Sequence, residues 1–188
     1  MVVADLKGQL VAVVGPSGVG KDTLLAAVKA QCPDVHLVTR VITRSADAGG
    51  EDITSVDAHT FKQMQSCGDF ALSWDAHGLH YGIPIAIDHH LANGDVVVFN
   101  GSRAALPIAQ QAYPNLKVIV ITASLETLTT RLIRRGRETD DDIEQRLKRA
   151  SYQAPDGENV MTISNDGALQ DAVDQFKAAI TPKAGSAQ

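Results

Sequence analysis

The sequence predicts an α/β fold in which a mainly parallel sheet is flanked by helices. Three observations point to it. Short apolar runs, QLVAVVG, DVVVFNG and LKVIVIT, read as strands buried on both faces. Segments with apolar residues at helical spacing alternate with them, as parallel pairing requires. The first run ends at Gly15 in the stretch GPSGVGKDT, a glycine-rich turn that opens into a helix.

Taken in order, QLVAVVG is the first strand. KDTLLAAVKAQC follows as a helix with Leu24, Leu25 and Val28 on one face, closed by Pro33. VHLVTR reads as one strand. DAHTFKQMQSCG reads as a short helix with Asp57 as N-cap and Gly68 as stop. FALSWDAHGLHYG suggests two small strands with a turn near Gly78. PIAIDHHLANG is framed as a helix by Pro84 at its first position and Asn93-Gly94 at its end. DVVVFNG is the clearest strand. SRAALPIAQQAY reads as a helix capped by Ser102 and bent at Pro107. LKVIVIT is another buried strand, and SLETLTTRLIRRG a helix from Ser124 to a stop at Gly136. TDDDIEQRLKRASYQ is a second helix, with acids in its first turn, where the helix dipole favours them. NVMTISN and GALQDAVDQFKAAI supply the last strand and helix.

The 188 residues suffice for one well-packed domain. The reading is a single domain with core segments 8–41, 83–130 and 156–181. An insert at 42–82 interrupts the alternation as a substrate-binding lobe. A lid spans 131–155, and 182–188 form a frayed tail. A formal net charge of −5 argues against nucleic-acid binding, which needs a positive face. Cys32 and Cys67 make neither a zinc set nor a disulfide framework, so reduced thiols in a cytoplasmic protein are expected. No secretory signal or membrane span is read. The sequence leaves the oligomeric state open between monomer and homodimer.

Gly15, Gly20 and Lys21 satisfy G-x-x-x-x-G-K in the required strand–turn–helix context. The glycines let backbone N–H groups curl inward, and the helix adds its positive N-terminal end. The fold is therefore expected to be of P-loop NTPase type. Gly15, Pro16, Ser17, Gly18, Val19, Gly20, Lys21, Asp22 and Thr23 are candidates to hold ATP. Asp22 stands where a hydroxyl that touches magnesium is usual. A carboxylate also suits that hard cation, so Asp22 and Thr23 are metal candidates; the competing reading is that Asp22 only complements the helix dipole.

Phosphoryl transfer needs positive charge around the transferred group. Arg131 and Arg135, four apart, share a helix face, and Arg146 lies beyond the next turn. With Arg134, Arg137 and Arg149 they suggest a lid closing over ATP. Arg40 and Arg44, with Tyr81, form a second anion-binding group. Asn100, Ser102 and Arg103 form a third. They sit at the carboxyl end of a strand, where ligands bind in open α/β sheets. His77 and His80 read as turn residues, His89 and His90 as surface, and Trp74 as ring packing against the insert.

GPSGVGK, TRVITR…GGE, GLHYG, RLIRRGR…IEQRL and ISNDG together resemble the guanylate-kinase family over about Leu10 to Ile180. The resemblance implies a parallel core, an acceptor-binding lobe and an arginine-bearing lid. It implies Arg44 and Tyr81 on the acceptor's phosphate, and Arg135 and Arg146 beside Lys21 as catalytic residues on the phosphates of ATP. The departures are specific. Ser73-Trp74 stands near the family's guanine-reading Glu, Ile83-Pro84 replaces Thr-Ser after the YG pair, and FNGSR replaces an acidic pair. Without those groups a guanine has little to select it, while Arg103 offers a place for a second phosphate. LSWDAHGLHYG and NGSR resemble a branch of the family that moves the γ-phosphoryl group of ATP, with magnesium, onto ribose 1,5-bisphosphate. The implied product is 5-phosphoribosyl 1-diphosphate, made in bacterial phosphonate breakdown. The attacking phosphate oxygen is already ionised at neutral pH, so no general base is expected. The rival readings are a nucleoside monophosphate kinase, a non-catalytic binding module of the same fold, and a GTP switch. The last lacks an N-K-x-D motif, SNDG being the nearest string.

Overall fold

The computed structural model describes residues 6–44, 53–135, 155 and 157–181. Nine strands and six helices are found among them: β1 (Gln9–Val14), α1 (Lys21–Gln31), β2 (His36–Leu37), β3 (Arg40–Ile42), β4 (Ile53–Ser55), α2 (Ala58–Cys67), β5 (Phe70–Ala76), β6 (Leu79–Pro84), α3 (Ile87–Asn93), β7 (Val96–Asn100), α4 (Leu106–Ala112), β8 (Lys117–Thr122), α5 (Leu125–Arg135), β9 (Val160–Ser164) and α6 (Leu169–Ile180).

A five-stranded sheet runs in the order β2-β7-β1-β8-β9, and every pair in it is parallel. Period-two alternation explains its burial on both faces. Leu10, Ala12 and Val14 of β1 enter one apolar cluster with Val97, Phe99, Val118 and Val120. Val11 and Val13 point the other way, into a cluster with Val98, Ile119 and Ile121. α1, α5 and α6 cover the second face through Leu24, Leu128 and Phe176, all within 1 % of full burial. The first face is covered by α3 and α4 and by Leu72, Trp74 and Ile83, which come from a second sheet.

That second sheet has the order β4-β3-β6-β5. β3 pairs with β4 in parallel, while β6 is antiparallel to both β3 and β5. The β5–β6 hairpin turns through His77 (φ 54°) and Gly78 (φ 73°). Two consecutive left-handed residues match the twist of the flanking strands.

Several boundaries differ from the sequence reading. VHLVTR is not one strand: His36 and Leu37 pair with Val97 and Val98, and the chain then crosses to the second sheet at Arg40. β4 was not foreseen, being three residues long and seated on an edge. Pro84 does not open a helix. It ends β6 opposite Phe70, Ile85 N–H donates to Asp69 O at 2.8 Å, and a turn at Ile85 and Ala86 leads into α3 at Ile87. Ser102 does not cap α4. A turn closed by Ala105 N–H on Ser102 O (3.0 Å) delays the helix to Leu106, and Pro107 sits in its first turn, where a missing N–H costs nothing, rather than at a bend. Asp57 and Ser124 do cap α2 and α5, accepting from Thr60 N–H at 2.7 Å and Thr127 N–H at 3.2 Å. His90 is not simply a surface residue. Its ring stacks on His36 at 3.7 Å, and its Nδ1 lies 2.8 Å from Asp95 Oδ2. Burial and the neighbouring His90 hold the His36 pKa below its ordinary value. Gly136 and the helix expected over TDDDIEQRLKRASYQ lie outside the described residues. Among the described residues no helix is long and apolar enough to cross a membrane.

Parallel pairing brings the end of β1 so close to β8 that a Cβ on Gly15 would lie 2.4 Å from Ile121 O. The obstructing atom is backbone, so a strand end must shift. Gly15→Ala is expected to cost about 1–3 kcal/mol, the usual range for overpacking. A urea midpoint equal to that of the wild type would show that the strand ends part freely.

Candidate active site

The site is assembled at the carboxyl ends of β1 and β7. Val13 is in register with Asn100, and Gly101 N–H donates to Val13 O at 2.8 Å. The turn after β1 and the NGSR turn after β7 therefore start side by side.

The first turn curls through Gly15 to Gly20. Gly18 (φ 86°) and Gly20 (φ 93°) take left-handed backbone that only glycine adopts cheaply. Gly20 is also the N-cap of α1 and offers no side-chain acceptor, so the first N–H groups of the helix face the turn uncapped. Lys21 folds back over it, its Nζ donating to Gly15 O at 2.9 Å and Pro16 O at 3.1 Å. Ser17 and Thr23 are exposed, the latter in the first turn of α1. Uncapped N–H groups and an ammonium at one turn suit an anion such as a nucleotide phosphate.

The turn is braced from outside. Val19 O accepts from Asn165 Nδ2 at 2.8 Å and from Arg131 Nη1 at 3.1 Å, and Arg131 Nη2 reaches Asn165 O at 2.8 Å. Arg131, a candidate for ATP itself, thus touches the backbone beneath the turn. Asn165 was not singled out from the sequence. It is 4 % exposed, and a Cβ on Gly20 would lie 2.7 Å from its Nδ2. Its neighbour Asp166 ties β9 to the start of α5. The carboxylate accepts from Ser124 N–H at 2.7 Å and Ser164 Oγ at 3.0 Å, and the Ser124 N–H foremost holds its pKa well below the usual carboxylate range.

Asp22 accepts from Asn100 Nδ2 at 2.9 Å, which ties the start of α1 to the end of β7. Beyond Asn100, the Ser102 Oγ is buried without a hydrogen-bond partner, and Arg103 is exposed. On the second sheet Arg40 is buried (8 % exposed) with its guanidinium 5.3 Å from the centre of the Tyr81 ring, a cation–π distance. Tyr81 in turn stacks on Trp74, directly opposite it in the ladder, at 5.3 Å and 8°. The Nε of Arg44 is a second buried donor without a partner. Unsatisfied buried polar atoms are costly, and a bound anion is one way to satisfy them. Arg135 is described by backbone alone, at the end of α5. Arg134 is likewise described only by backbone, and Arg137, Arg146 and Arg149 lie outside the described residues.

A strand, a curled glycine turn and a helix that begins with lysine, set in a parallel sheet, define the class: a P-loop nucleotide-binding fold. The guanylate-kinase family model matches residues 7–183. Ribose 1,5-bisphosphate phosphokinase PhnN of Agrobacterium fabrum is 48% identical over 182 residues, covering 95% of this chain and 100% of that protein. The protein of the same name from Pseudomonas fluorescens is 45% identical, covering 91% and 94%. Among solved structures, guanylate kinase from Anaplasma phagocytophilum superposes with a TM-score of 0.68 at 17% identity, covering 92% of this chain and 84% of that one. A gluconokinase from Sinorhizobium meliloti gives 0.54 at 18% identity, covering 94% and 93%. At those identities the two structures speak for the fold alone. The chain belongs to the guanylate-kinase family, within the group of ribose 1,5-bisphosphate phosphokinases.

Removing the Asn165 amide leaves Val19 O to Arg131 alone and opens space under Gly20. Asn165→Ala is expected to lower stability by about 1–3 kcal/mol and to weaken ATP binding. Calorimetric unfolding and an ATP titration read the two effects. Unchanged ATP affinity would reduce Asn165 to a core residue.

Proposed function

We propose that this chain is an ATP-dependent phosphotransferase that converts ribose 1,5-bisphosphate to 5-phosphoribosyl 1-diphosphate in phosphonate catabolism. The observation that carries the reading is the pairing of two turns at adjacent strand ends, GPSGVGK after β1 and NGSR after β7, joined through Asp22 and Asn100. Near full-length identity to phosphokinases of that name supports the choice of acceptor.

In this reading the backbone N–H groups of the glycine turn, from Ser17 onward, and of the start of α1 bind the phosphates of ATP. Lys21 exchanges its two carbonyl partners for the negative charge that spreads over the transferred group. Arg135 and Arg146 act with it, and Arg131 holds the turn that presents it. Arg40, Arg44 and Tyr81 grip one phosphate of the acceptor, and Asn100, Ser102 and Arg103 the other. The attacking atom is a phosphate oxygen, ionised at neutral pH. The chain's work is therefore alignment, which converts an encounter of two anions into a step between fixed neighbours.

Among the described residues no three His, Cys, Asp or Glu side chains gather as a metal cage. Magnesium is commonly held by one or two carboxylates together with substrate phosphates, and the donors at the start of α1 fit that pattern. Asp22 and Thr23 would hold the ion, and its chemistry is to offset phosphate charge.

The test is a coupled assay with ATP, magnesium and a panel of acceptors. Ribose 1,5-bisphosphate is expected to turn over and GMP to be a poor acceptor. Lys21→Ala is expected to cut turnover about a hundred-fold or more with the fold intact. Preference for GMP would assign the chain to base-reading kinases. Arg103→Ala separates the two anion sites: the KM for the bisphosphate is expected to rise about ten-fold while the KM for ATP holds. Equal losses for both substrates would remove Arg103 from the acceptor site.

A further inference from the structure

Asp22 puts a negative charge where two anions are to meet. It follows Lys21 in the first turn of α1, and its Oδ1 accepts from Asn100 Nδ2 at 2.9 Å. Asn100 is 8 % exposed and ends β7, so the carboxylate is tied to a buried strand end. That bond joins the helix that leaves the glycine turn to the first residue of the NGSR turn. A fixed carboxylate at the junction of a site for the phosphates of ATP and a site for an acceptor phosphate repels both ligands.

An acid in the first turn of a helix is often there for the helix dipole. Asp88, Glu126 and Asp171 hold that place in α3, α5 and α6. Asp22 differs in what it touches. Asp57 serves its own helix, accepting from Thr60 N–H at 2.7 Å. Asp22 is drawn sideways to β7 instead. Among the described residues Asn100 is its one hydrogen-bond partner, and no cation pairs with it. Lys21, next in sequence, sends its Nζ to Gly15 O and Pro16 O. The Asn100 amide satisfies one carboxylate oxygen without cancelling the charge. What is left suits a hard divalent cation and opposes a bare phosphate.

We propose that Asp22, held by Asn100, makes the glycine turn select ATP that carries a divalent cation and exclude metal-free ATP. This rests on the nucleotide-binding part of the phosphotransferase reading and adds a basis for choosing between two forms of the donor. ATP with a divalent ion on its phosphates brings positive charge to the carboxylate, and metal-free ATP brings negative charge alone. The hydroxyl usual at this position is neutral and opposes neither form. A carboxylate there tells the two apart.

The test is a calorimetric titration of ATP, with excess magnesium and separately with EDTA, into wild type and Asp22→Asn. No acceptor is present, so an error in the choice of acceptor leaves the result readable. Asparagine keeps an oxygen for Asn100 Nδ2 and removes only the charge, so the thermal midpoint is expected to change little. Wild type is expected to bind magnesium–ATP at least about ten-fold tighter than ATP in EDTA, well within what one charge near a surface exerts on another. Asp22→Asn should bind ATP in EDTA about ten-fold tighter than wild type does, and magnesium–ATP no tighter, so that the ratio narrows. Asp171→Asn, which removes a first-turn acid from α6, should leave the ratio as it is. A ratio that fails to narrow in Asp22→Asn overturns the proposal and returns Asp22 to the helix dipole. A ratio that narrows only through loss of magnesium–ATP affinity makes Asp22 a metal holder without exclusion, and also overturns it. A wild-type protein that binds ATP in neither form overturns the nucleotide reading and this one with it.

Discussion

Everything at the candidate site depends on β1 being flanked on both sides by parallel strands. A strand in that position has its two ladders satisfied and both faces buried, so its carboxyl end is among the most tightly determined points of the chain. Three segments converge there by register alone: the glycine turn after β1, Asn100 at the end of β7, and Ile121 of β8. The side chains then need only short reaches. Asp22 meets Asn100, and Asn165 and Arg131 meet Val19 O. A phosphate-binding turn made mostly of backbone is thereby held by backbone pairing and by two buried or half-buried polar side chains.

The same economy extends to the second sheet. Leu72, Trp74 and Ile83 belong to the apolar cluster that also holds Phe99 and Val120. The residues that carry Arg40 and Tyr81 are thus built onto the core that supports the glycine turn. The cation–π contact of Arg40 and the stack of Tyr81 on Trp74 form one continuous layer, so the position of a charged group is set by ring packing.

Much of this was legible in the residues. Continuous apolar runs announced the central strands, the glycine spacing announced the turn, and Asp57 and Ser124 announced two helix starts, because each signal is local. The failures share a cause. VHLVTR divides between two sheets because its halves find different partners, a tertiary fact that strand propensity does not carry. Pro84 and Ser102 are good helix openers by type, yet a hydrogen bond from Ile85 to Asp69 O and a turn at Ser102 decide otherwise. Asn165 looked like one polar residue in ISNDG. Its role arises from a bond to Val19, across 146 positions of chain. His80 reads as a turn residue, yet it lies within β6, opposite Asp75 and with its ring stacked on Phe61, because the hairpin turns one residue earlier than the sequence suggests. The family resemblance supplied what local reading lacked, since LSWDAHGLHYG and NGSR pointed to the group of relatives the chain matches over nearly its full length.

Trp74 is 5 % exposed and lies in the main apolar cluster, yet it also lines a groove of about 340 Å³ beside Phe61, Gln65 and Asp75. Trimming it would open a void in that cluster. Descendants of this chain can therefore reshape the groove cheaply only through its exposed lining, such as Gln65 and Asp75. Its depth is inherited with the core.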